Sequence, residues 1–298
     1  MSARILDGKQ IAQDLRLEMA LEVKQLSARG VIPGLGVLLV GNNPASRSYV
    51  TAKEKACAET GLHSEEVSLP ATATRAEILA AVQRFNQDPR INGILVQLPL
   101  PDTRMEFDVL EAIDPAKDVD GFHPVNVGRM MLGLSCFLPC TPHGILHILK
   151  RSSIPTKGAH AVVIGRSNIV GRPLANLLSL KNDLGNATVT LCHTASPDLA
   201  RFTREADIII AAAGRPHTVT ADMVRPGATV IDVGVNRVED AAHPKGFRLV
   251  GDVDFETVRA IAGAITPVPG GVGPMTITML LLNTIISARR RAGLPDRD

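Results

Sequence analysis

Apolar residues recur every three or four positions near the amino terminus, at Ile11, Leu15, Met19, Val23 and Leu26. This spacing predicts an amphipathic first helix, whose first turn Asp7 and Gln10 can cap. Short apolar runs bounded by glycine or proline then alternate with helical patterns. The predicted strands lie at 36–40, 65–69 and 91–98, and the predicted helices between them at 46–60 and 74–86. Thr74 and Glu77 form a capping box that opens the second of these helices. Strands that alternate with helices in this way indicate a parallel sheet.

The second half of the chain repeats this alternation. Thr141-Pro142 is a cap followed by a proline at the first helical position, and it predicts a helix that extends to Lys150. A predicted helix at 170–180 follows, together with predicted strands at 161–164, 188–192, 208–213 and 229–233. Their near-continuous Ile, Val and Ala content is typical of strands that are covered on both faces.

These elements predict an α/β protein with two domains. The loop-like segment 134–142 marks the domain change, and the apolar helix at 275–291 is expected to pack back on the first domain. We therefore expect an N-terminal α/β catalytic domain over 1–140, completed by 275–298, and a C-terminal Rossmann-type nucleotide-binding domain over 141–274.

Composition narrows the classes of function. The 298 residues are 45% hydrophobic but include one Tyr and no Trp, and 32 Lys and Arg against 30 Asp and Glu leave a formal charge of +2. This balance and the lack of stacking aromatics argue against nucleic-acid binding. We find no signal-peptide pattern and no run of about 18 apolar residues, so no membrane span is expected. Four cysteines without a CxxC pair indicate reduced thiols and a cytoplasmic protein.

A glycine-containing turn, Gly165 to Pro173, connects the strand at 161–164 to the next helix. Glycine lets the backbone turn tightly and approach a pyrophosphate, and a helix N-terminus offers free N–H donors. Ser167 replaces the second glycine of the usual fingerprint, and Gly171 comes four residues later. The turn alone fits an ordinary strand-to-helix connection as well. The parallel strands that follow it favour a nucleotide site.

The end of the strand at 188–192 distinguishes the two nicotinamide cofactors. NAD enzymes usually place an Asp or Glu there for the ribose hydroxyls, whereas Cys192, His193 and Thr194 stand there in this chain. Arg166, His193 and Thr194 can instead bind the 2′-phosphate of NADP. In the alternative interpretation, His193 and Thr194 only cap the strand. Small residues that end the later strands, at 212–216 and 232–236, would line the nicotinamide.

The single tyrosine, Tyr49, lies four residues before Lys53 on a predicted helix, so both side chains share one face. A lysine held beside a phenol in an enclosed site can have a lowered pKa and act as an acid or a base. The alternative is an ordinary solvated helix face. Gln97 is a polar residue at the C-terminal end of an apolar strand, the edge at which open parallel sheets bind ligands.

Two carboxylates, Asp118 and Asp120, lie in the loop that follows Pro115. Either one can accept hydrogen bonds from the amide N–H groups of a heterocycle. Asp118 has a second interpretation, in which it pairs with Lys117 or caps a turn. Asp120 is the stronger candidate for ligand binding.

His143 and His147 are four residues apart on one helix, with Cys140 nearby. Such a spacing can hold a metal ion. No carboxylate or fourth ligand accompanies them, and we therefore expect no metal.

Six ordered motifs are spread from residue 49 to residue 276. They are Tyr49-Val50-x-x-Lys53-x-Lys55-Ala56, Val96-Gln97-Leu98-Pro99-Leu100-Pro101, Lys117-Asp118-Val119-Asp120-Gly121, Pro139-Cys140-Thr141-Pro142, Gly165-Arg166-Ser167 with Ile169-Val170-Gly171, and Pro267-Val268-Pro269-Gly270-Gly271-Val272-Gly273-Pro274-Met275-Thr276. Together they closely resemble the bifunctional methylenetetrahydrofolate dehydrogenase/methenyltetrahydrofolate cyclohydrolase (FolD) family. The resemblance covers nearly the whole chain.

This resemblance implies that folate lies in a cleft between the two domains. Lys53 would be the acid/base residue of the cyclohydrolase step, Tyr49 would contact the pterin and position Lys53, and Gln97 would modulate the lysine. Asp120 would bind the pterin amino and ring N–H groups. Folate would also contact Val96, Leu98, Pro267, Gly271 and Pro274, whereas NADP would contact Gly165, Arg166, Ser167, Thr194 and Val235.

The implied activity is NADP-dependent oxidation of 5,10-methylenetetrahydrofolate, then hydrolysis of the methenyl product to 10-formyltetrahydrofolate, in one-carbon metabolism. The resemblance also implies a homodimer whose partners are tetrahydrofolate derivatives. Two alternatives stay open, an NADP-dependent dehydrogenase of another small metabolite such as a shikimate- or glutamyl-type substrate, and a noncatalytic nucleotide-binding protein. The Lys53 helix joined to the Gln97 strand argues against the first, and Asp120 beside them argues against the second.

Overall fold

The structure is a computed structural model that describes residues 2–240 and 246–295. Its residues group into two compact units. The large-sheet unit comprises the segment that ends at Ala12 together with Thr141–Thr276, and the small-sheet unit comprises Gln13–Cys140 together with the chain from Ile277 onward. The chain therefore passes between the units after Ala12, after Cys140 and after Thr276.

Helices and strands alternate along most of the described chain. The helices are α1 (Gly8–Ser27), α2 (Pro44–Thr60), α3 (Arg75–Gln87), α4 (Glu106–Glu111), α5 (Pro124–Met131), α6 (Cys140–Arg151), α7 (Gly171–Ser179), α8 (Leu199–Thr203), α9 (Phe255–Arg259) and α10 (Val272–Arg291). The strands are β1 (Arg4–Ile5), β2 (Gly34–Val40), β3 (His63–Leu69), β4 (Gly93–Val96), β5 (His160–Ile164), β6 (Thr188–Cys192), β7 (Ile208–Ala211), β8 (Thr229–Asp232), β9 (Asn236–Glu239), β10 (Phe247–Val250) and β11 (Ala264–Ile265).

The large-sheet unit contains a six-stranded sheet in the order β1-β11-β8-β7-β5-β6. Each neighbouring pair in this sheet is parallel, and β9 and β10 form a separate antiparallel pair. The strands β5, β7 and β8 are almost wholly buried, because aliphatic side chains cover both faces. Their C-terminal ends therefore meet at one edge of a rigid, apolar platform.

The small-sheet unit contains a parallel sheet of three strands in the order β3-β2-β4. The central strand β2 is buried along its whole length, and Phe85 on α3 packs against it at Gly36, where an added Cβ would lie 2.9 Å from the ring. An aliphatic cluster between α3 and this sheet includes Ile78, Val82 and Val96. This core fixes the C-terminal ends of β2 and β4.

Most elements that the sequence pattern predicts are present, and the α/β fold with parallel sheets is confirmed. The capping box is also confirmed, since Thr74 accepts a hydrogen bond from the backbone of Glu77 while the Glu77 side chain accepts one from the Thr74 backbone. The strand predicted at 91–98 is shorter than expected and spans Gly93–Val96. Pro99 and Pro101 have no N–H to donate, which favours an early end to this ladder.

The first residues of the chain differ from the expectation that 1–140 forms one domain. Arg4 and Ile5 pair with Ala264 and Ile265 at the edge of the large sheet, so this segment groups with the large-sheet unit. A two-residue strand carries no periodic pattern, and sequence analysis therefore missed β1.

The C-terminal helix α10 is long and apolar enough, by length and composition, to cross a membrane, but 61% of its most apolar window is buried within the protein. Its polar residues bind backbone in the small-sheet unit. Asn283 Nδ2 donates to the carbonyl of Val119 at 2.8 Å, and Ser287 Oγ donates to the carbonyls of Asn92 at 2.6 Å and Ala116 at 2.9 Å. These contacts are those of a core helix.

A buried lysine, Lys117, binds the C-terminal end of α3. Lys117 is 1% exposed, and its Nζ donates to the carbonyls of Phe85 at 2.8 Å, Asn86 at 2.8 Å and Asp88 at 2.9 Å. These carbonyls lie at the C-terminal end of the helix, where backbone acceptors lack helical partners and a positive charge is favourable. Lys117 thus joins the end of α3 to the loop that carries Asp120.

Replacement of this lysine tests its structural role. We expect Lys117→Met to lower the free energy of unfolding by about 2–3 kcal/mol, because three carbonyls lose a charged donor. Lys24→Met, at an exposed position on α1, is the matched control and should change stability by less than about 0.5 kcal/mol. Urea unfolding followed by circular dichroism measures both, and equal stabilities would show that the contacts of Lys117 contribute nothing.

Candidate active site

One face of α2 carries Tyr49, Lys53 and Cys57, each one turn after the other. Their exposed fractions fall along the helix, from 44% for Tyr49 to 8% for Lys53 and 0% for Cys57. The face therefore leads from the surface into the core, with the lysine at the boundary. This placement excludes the alternative of an ordinary solvated helix face.

The Lys53 ammonium is bound by the residue that follows β4. Lys53 Nζ donates to Gln97 Oε1 at 2.9 Å, and Gln97 Nε2 donates to the carbonyl of Leu98 at 2.7 Å. The Gln97 backbone N–H donates to Leu38 on the neighbouring strand at 2.9 Å. Both ends of the Gln97 amide are thus fixed, and its oxygen is held toward the lysine.

The loop that carries Asp120 runs beside β4. The backbone N–H of Ile94 donates to the Lys117 carbonyl at 2.8 Å, and Ile94 and Asp118 form a parallel bridge. Gly121 then turns the chain with φ 77°, and an added Cβ there would lie 2.6 Å from the backbone of Leu138. Only glycine suits both this φ and this close approach.

Burial and charge both change the pKa values of Lys53 and Asp120. Burial lowers the pKa of Lys53, and the negative charge of Asp120 opposes this change. Burial likewise raises the pKa of Asp120, which the Lys53 ammonium and a hydrogen bond from the Cys140 thiol oppose. A lysine with a lowered pKa can exchange protons closer to neutral pH than a free lysine.

Asp118 organises the loop itself. Its carboxylate accepts hydrogen bonds from the backbone of Phe122 at 3.2 Å and His123 at 2.8 Å, and from Asn126 Nδ2 at 2.8 Å. Burial raises the pKa of Asp118 to about 6, although these hydrogen bonds oppose the shift. The turn-capping interpretation of Asp118 is therefore the one that the structure supports.

Cys140 is a neighbour of the site that sequence reasoning considered only as a metal ligand. Its thiol is 1% exposed and has two alternative acceptors, the Val119 carbonyl at 3.3 Å and the Asp120 carboxyl. The motif Pro139-Cys140-Thr141-Pro142 was a signal for it, but the sequence alone did not place this motif next to Asp120. Val96 and Leu98, by contrast, pack with the aliphatic cluster below the site.

The glycine-containing turn lies in the large-sheet unit, between β5 and α7. Gly165 has φ 118°, an added Cβ there would collide with the backbone of Ala212, and one at Gly171 would collide with the backbone of Gly165. Ser167 Oγ accepts hydrogen bonds from the backbone of Val170 at 3.2 Å and Gly171 at 3.4 Å. Gly165 and Gly171 thus supply the close approaches of a dinucleotide turn, while Ser167 caps the helix.

The residues predicted to read the 2′-phosphate lie close to this turn. Arg166 and Thr194 are exposed, and His193 follows β6, the strand that pairs with β5. His193 Nδ1 accepts a hydrogen bond from the backbone of Ala195 at 3.2 Å, which assigns the ring proton of the neutral form to Nε2. His193 can therefore donate a hydrogen bond to an anion through Nε2.

The remaining predicted contacts also lie in the large-sheet unit. Val235 follows β8 and is 49% exposed. Pro267 and Gly271 belong to the loop between β11 and α10, where the Gly270 carbonyl accepts a hydrogen bond from the Lys9 backbone at 2.9 Å. Pro274 lies in the first turn of α10. The backbone of this loop is thus fixed by the start of α1.

The two histidines that were considered as metal ligands contact each other. His143 and His147 lie with their Nε2 atoms 3.2 Å apart, close enough to hydrogen-bond each other. Within residues 2–240 and 246–295, no group of three or more His, Cys, Asp or Glu side chains is arranged to hold a metal ion.

A parallel sheet with a glycine turn at a helix N-terminus, and a second unit with a buried lysine at a sheet edge, define a two-domain α/β enzyme that uses a nicotinamide nucleotide. Comparison with known proteins identifies the family. Residues 6–120 match the catalytic domain of the tetrahydrofolate dehydrogenase/cyclohydrolase family, and residues 139–292 match its NAD(P)-binding domain. The chain belongs to this family, as its motifs predicted.

Individual relatives agree over nearly the full chain. It is 56% identical to "Bifunctional protein FolD" of Chlorobium phaeobacteroides over 290 residues, which are 96% of this chain and 98% of that protein. The structure is similar to bifunctional FolD, methylenetetrahydrofolate dehydrogenase/cyclohydrolase, from Campylobacter jejuni, with 48% identity, a TM-score of 0.91 and coverage of 97% of this chain and 100% of that one.

A second solved structure is similar to this chain. It is the N5,N10-methylenetetrahydrofolate dehydrogenase-cyclohydrolase of Trypanosoma brucei, complexed with NADP cofactor and inhibitor, with 39% identity and a TM-score of 0.93. The match covers 98% of this chain and 99% of the Trypanosoma brucei chain. The predicted two-domain α/β fold, with a catalytic and an NAD(P)-binding domain, and the predicted enzyme class are confirmed.

The coupling of Lys53 to Asp120 can be measured without substrate. In protein with ¹³C-labelled lysine, the Lys53 side chain should titrate below the value of about 10.4 that is typical of a free lysine. Asp120→Asn should move this titration to still lower pH, because the carboxylate that favours the ammonium is gone.

Asp14→Asn serves as the control, since it removes a carboxylate from an exposed position of α1 that does not act on Lys53. Its Lys53 titration should match that of the unaltered protein. An unchanged or higher titration pH in Asp120→Asn would show that Asp120 does not act on the lysine.

Proposed function

We propose that this enzyme oxidises 5,10-methylenetetrahydrofolate with NADP and hydrolyses the resulting 5,10-methenyltetrahydrofolate to 10-formyltetrahydrofolate. The observation that supports this most directly is the buried Lys53 ammonium, held 2.9 Å from Gln97 Oε1 and influenced by the charge of Asp120. The family match supports both activities.

Folate binds in the small-sheet unit, which we assign to Gln13–Cys140 together with the chain from Ile277 onward. Asp120 accepts hydrogen bonds from the amino and ring N–H groups of the pterin, and Tyr49 lies against the flat ring. Val96 and Leu98 shape the floor of this site, since both pack with the core beneath it.

The oxidation step needs little from the side chains. A nitrogen lone pair of the folate drives loss of hydride from the methylene carbon, and bound NADP supplies the hydride acceptor. No hydroxyl proton has to be removed. Positioning of the methylene carbon is therefore the main contribution of Tyr49, Gln97 and Asp120 to this step.

The hydrolysis step needs proton transfer. Water adds to the methenyl carbon, the carbon–nitrogen bond to N5 breaks, and one proton is released in forming the 10-formyl product. Burial lowers the pKa of Lys53 and so makes its neutral amine accessible. In this neutral form Lys53 can accept a proton from the attacking water, and the resulting ammonium can give it to the leaving nitrogen. Gln97 holds Nζ in place for both transfers.

NADP binds in the large-sheet unit. Gly165 and Ser167 lie at the turn where the pyrophosphate meets the N-terminus of α7, a helix of nine residues. No carboxylate ends β6 to repel a 2′-phosphate, and Arg166, His193 and Thr194 offer cationic and hydroxyl partners for it. Val235 and the backbone of Pro267, Gly271 and Pro274 complete the contacts that we assign to the cofactor and the folate.

The setting of the reaction follows from the same reasoning. We assign the enzyme to the cytoplasm and to one-carbon metabolism, as a homodimer whose ligands are folates and NADP. All four cysteines are free thiols in the structure, which suits a reducing compartment. The near-neutral charge and scarce aromatics of the chain support neither nucleic-acid nor membrane partners.

Purified protein mixed with 5,10-methylenetetrahydrofolate and NADP tests the proposal. Methenyl absorbance should rise and then decay as hydrolysis proceeds, and the product should be 10-formyltetrahydrofolate by chromatography. An absence of spectral change with NADP and with NAD would overturn the proposed function.

Lys53→Met separates the two steps of the reaction. Hydrolysis of added methenyltetrahydrofolate should fall by at least about 100-fold, because the proton-transfer group is lost. The NADP dissociation constant should stay unchanged, since Lys53 lies in the other unit. Lys55→Met, which alters an exposed lysine of the same helix, is the control, and unchanged hydrolysis by Lys53→Met would remove this residue from the mechanism.

Arg166→Ala tests the choice of cofactor. The dissociation constant of NADP should rise about tenfold or more, because a charge-assisted hydrogen bond to the 2′-phosphate is lost, while that of NAD should hardly change. Arg172→Ala is the control, since Arg172 lies at the start of α7 and already donates to Asn168 Oδ1 at 2.9 Å. Equal losses for NADP and NAD would show that Arg166 does not read the 2′-phosphate.

A further inference from the structure

Two buried carboxylates, Asp232 and Asp252, hold together the loops at the C-terminal edge of the large sheet. We call them the carboxylate pair. Asp232 is the last residue of β8 and is 2% exposed, and Asp252 follows β10 and is 0% exposed. Asp232 begins the segment 232–236 that was predicted to line the nicotinamide, whereas no local pattern points to Asp252, because its partners come from segments that are far apart in the chain.

Asp252 connects the loops that follow β7 and β8. Its Oδ2 accepts hydrogen bonds from the backbone of Ala213 at 2.6 Å and Gly214 at 2.8 Å. Its Oδ1 accepts one from Asn236 Nδ2 at 2.8 Å. The two loops are thereby held on opposite oxygens of one carboxylate.

Asp232 binds the segment that carries Asp252. Its Oδ1 accepts hydrogen bonds from the backbone of Gly234 at 3.0 Å and Asp252 at 2.9 Å, and its Oδ2 accepts one from Val253 at 3.0 Å. A Cβ added at Gly234 would collide with the Asp252 carboxylate. The arrangement is therefore packed closely and leaves no space for a larger residue at this position.

Among the residues that the structure describes, six hydrogen bonds reach the carboxylate pair, and the donor of each is a neutral amide. Burial raises the pKa of Asp232 to about 6, backbone hydrogen bonds oppose this shift, and the neighbouring carboxylate of Asp252 adds to it. Negative charge thus accumulates in the interior, at the sheet edge where parallel α/β folds bind their ligands. Electrostatic interactions are stronger there than in water, because the surroundings are of low dielectric constant.

We propose that the carboxylate pair makes this unit bind the oxidised cofactor in preference to the reduced one, and that Asp252 positions the loops which receive the nicotinamide. The inference rests on the proposed function, since it requires NADP to bind at this edge. The nicotinamide ring is positively charged when oxidised and neutral after it accepts a hydride. A negative charge nearby therefore attracts the oxidised ring more strongly than the reduced one, and Asp232 and Asp252 act as positioning and selectivity residues.

Asp252→Asn separates charge from geometry. The amide oxygen of the variant can still accept the hydrogen bonds of Ala213 and Gly214. Its NH₂ group faces Asn236, whose own amide can turn to present an oxygen. The asparagine variant thus keeps the hydrogen bonds that hold the loops and loses only the charge. Asp252→Ala removes the hydrogen bonds as well as the charge.

Affinities for NADP and NADPH in the absence of folate provide the test, by calorimetry and by NADPH fluorescence. Asp252→Asn should weaken NADP binding about five- to tenfold and NADPH binding less than about twofold. Asp252→Ala should weaken both forms further, since the loops lose their partner. Asp232→Asn removes the other charge and should shift the selectivity in the same direction. Thermal unfolding verifies that each variant is folded. One folded variant of the two is sufficient for the test.

Asp207→Asn is the matched control. Asp207 also accepts a backbone hydrogen bond, from His160 at 2.8 Å, but at the opposite end of β5. Its variant should keep the selectivity of the unaltered protein. Normal binding with unchanged selectivity in Asp252→Asn, or equal weakening of both forms, would overturn this inference alone, while an unaltered protein that binds no NADP would overturn the proposed function as well.

Discussion

The burial of the Lys53 ammonium is the constraint on which the small-sheet unit depends. A buried side chain keeps its charge only if polar or oppositely charged groups compensate for the lost water. For Lys53 these groups are the amide oxygen of Gln97 and the neighbouring carboxylate of Asp120. Each partner must be brought to the lysine from another part of the chain. The strand β4 ends where Gln97 can turn toward Lys53, and the loop that follows α4 runs beside β4 and carries Asp120.

Carboxylates that bind backbone amides perform the same task in both units. Asp118 fixes the loop around Asp120, and the carboxylate pair fixes the loops beyond β7 and β8. In each place a rigid sheet ends, and a short polar side chain determines how the chain continues. Such buried acceptors are stable because the amides that they bind would otherwise lack partners.

Local patterns predicted most of the fold, because they depend on nearest neighbours. The capping box of Thr74 and Glu77 and the buried strands of the large sheet are examples. The candidate site was predictable to the extent that Lys53, Gln97 and Asp120 lie in recognisable motifs. The spacing of residues left two interpretations of Asp118 open, and the structure decides between them, because Asp118 binds the backbone of its own loop.

Other features had no local signal. The strand β1 is two residues long and exists only because β11 lies beside it. The role of Asp252 depends on donors from residues 213, 214 and 236, which no sequence window brings together. Cys140 reaches Asp120 in the same way, through tertiary contact and not through spacing. Tertiary contacts of this kind are visible only when the chain is folded.

The loop from Lys117 to Asp120 contains three charged side chains, of which two are already committed to the protein. Lys117 uses its three protons on the end of α3, and Asp118 uses both oxygens on its own loop. Of these three side chains, only that of Asp120 is left to bind a ligand, in the role that we propose for it. A redesign toward a different heterocycle would therefore have to begin at Asp120 and leave its two charged neighbours intact.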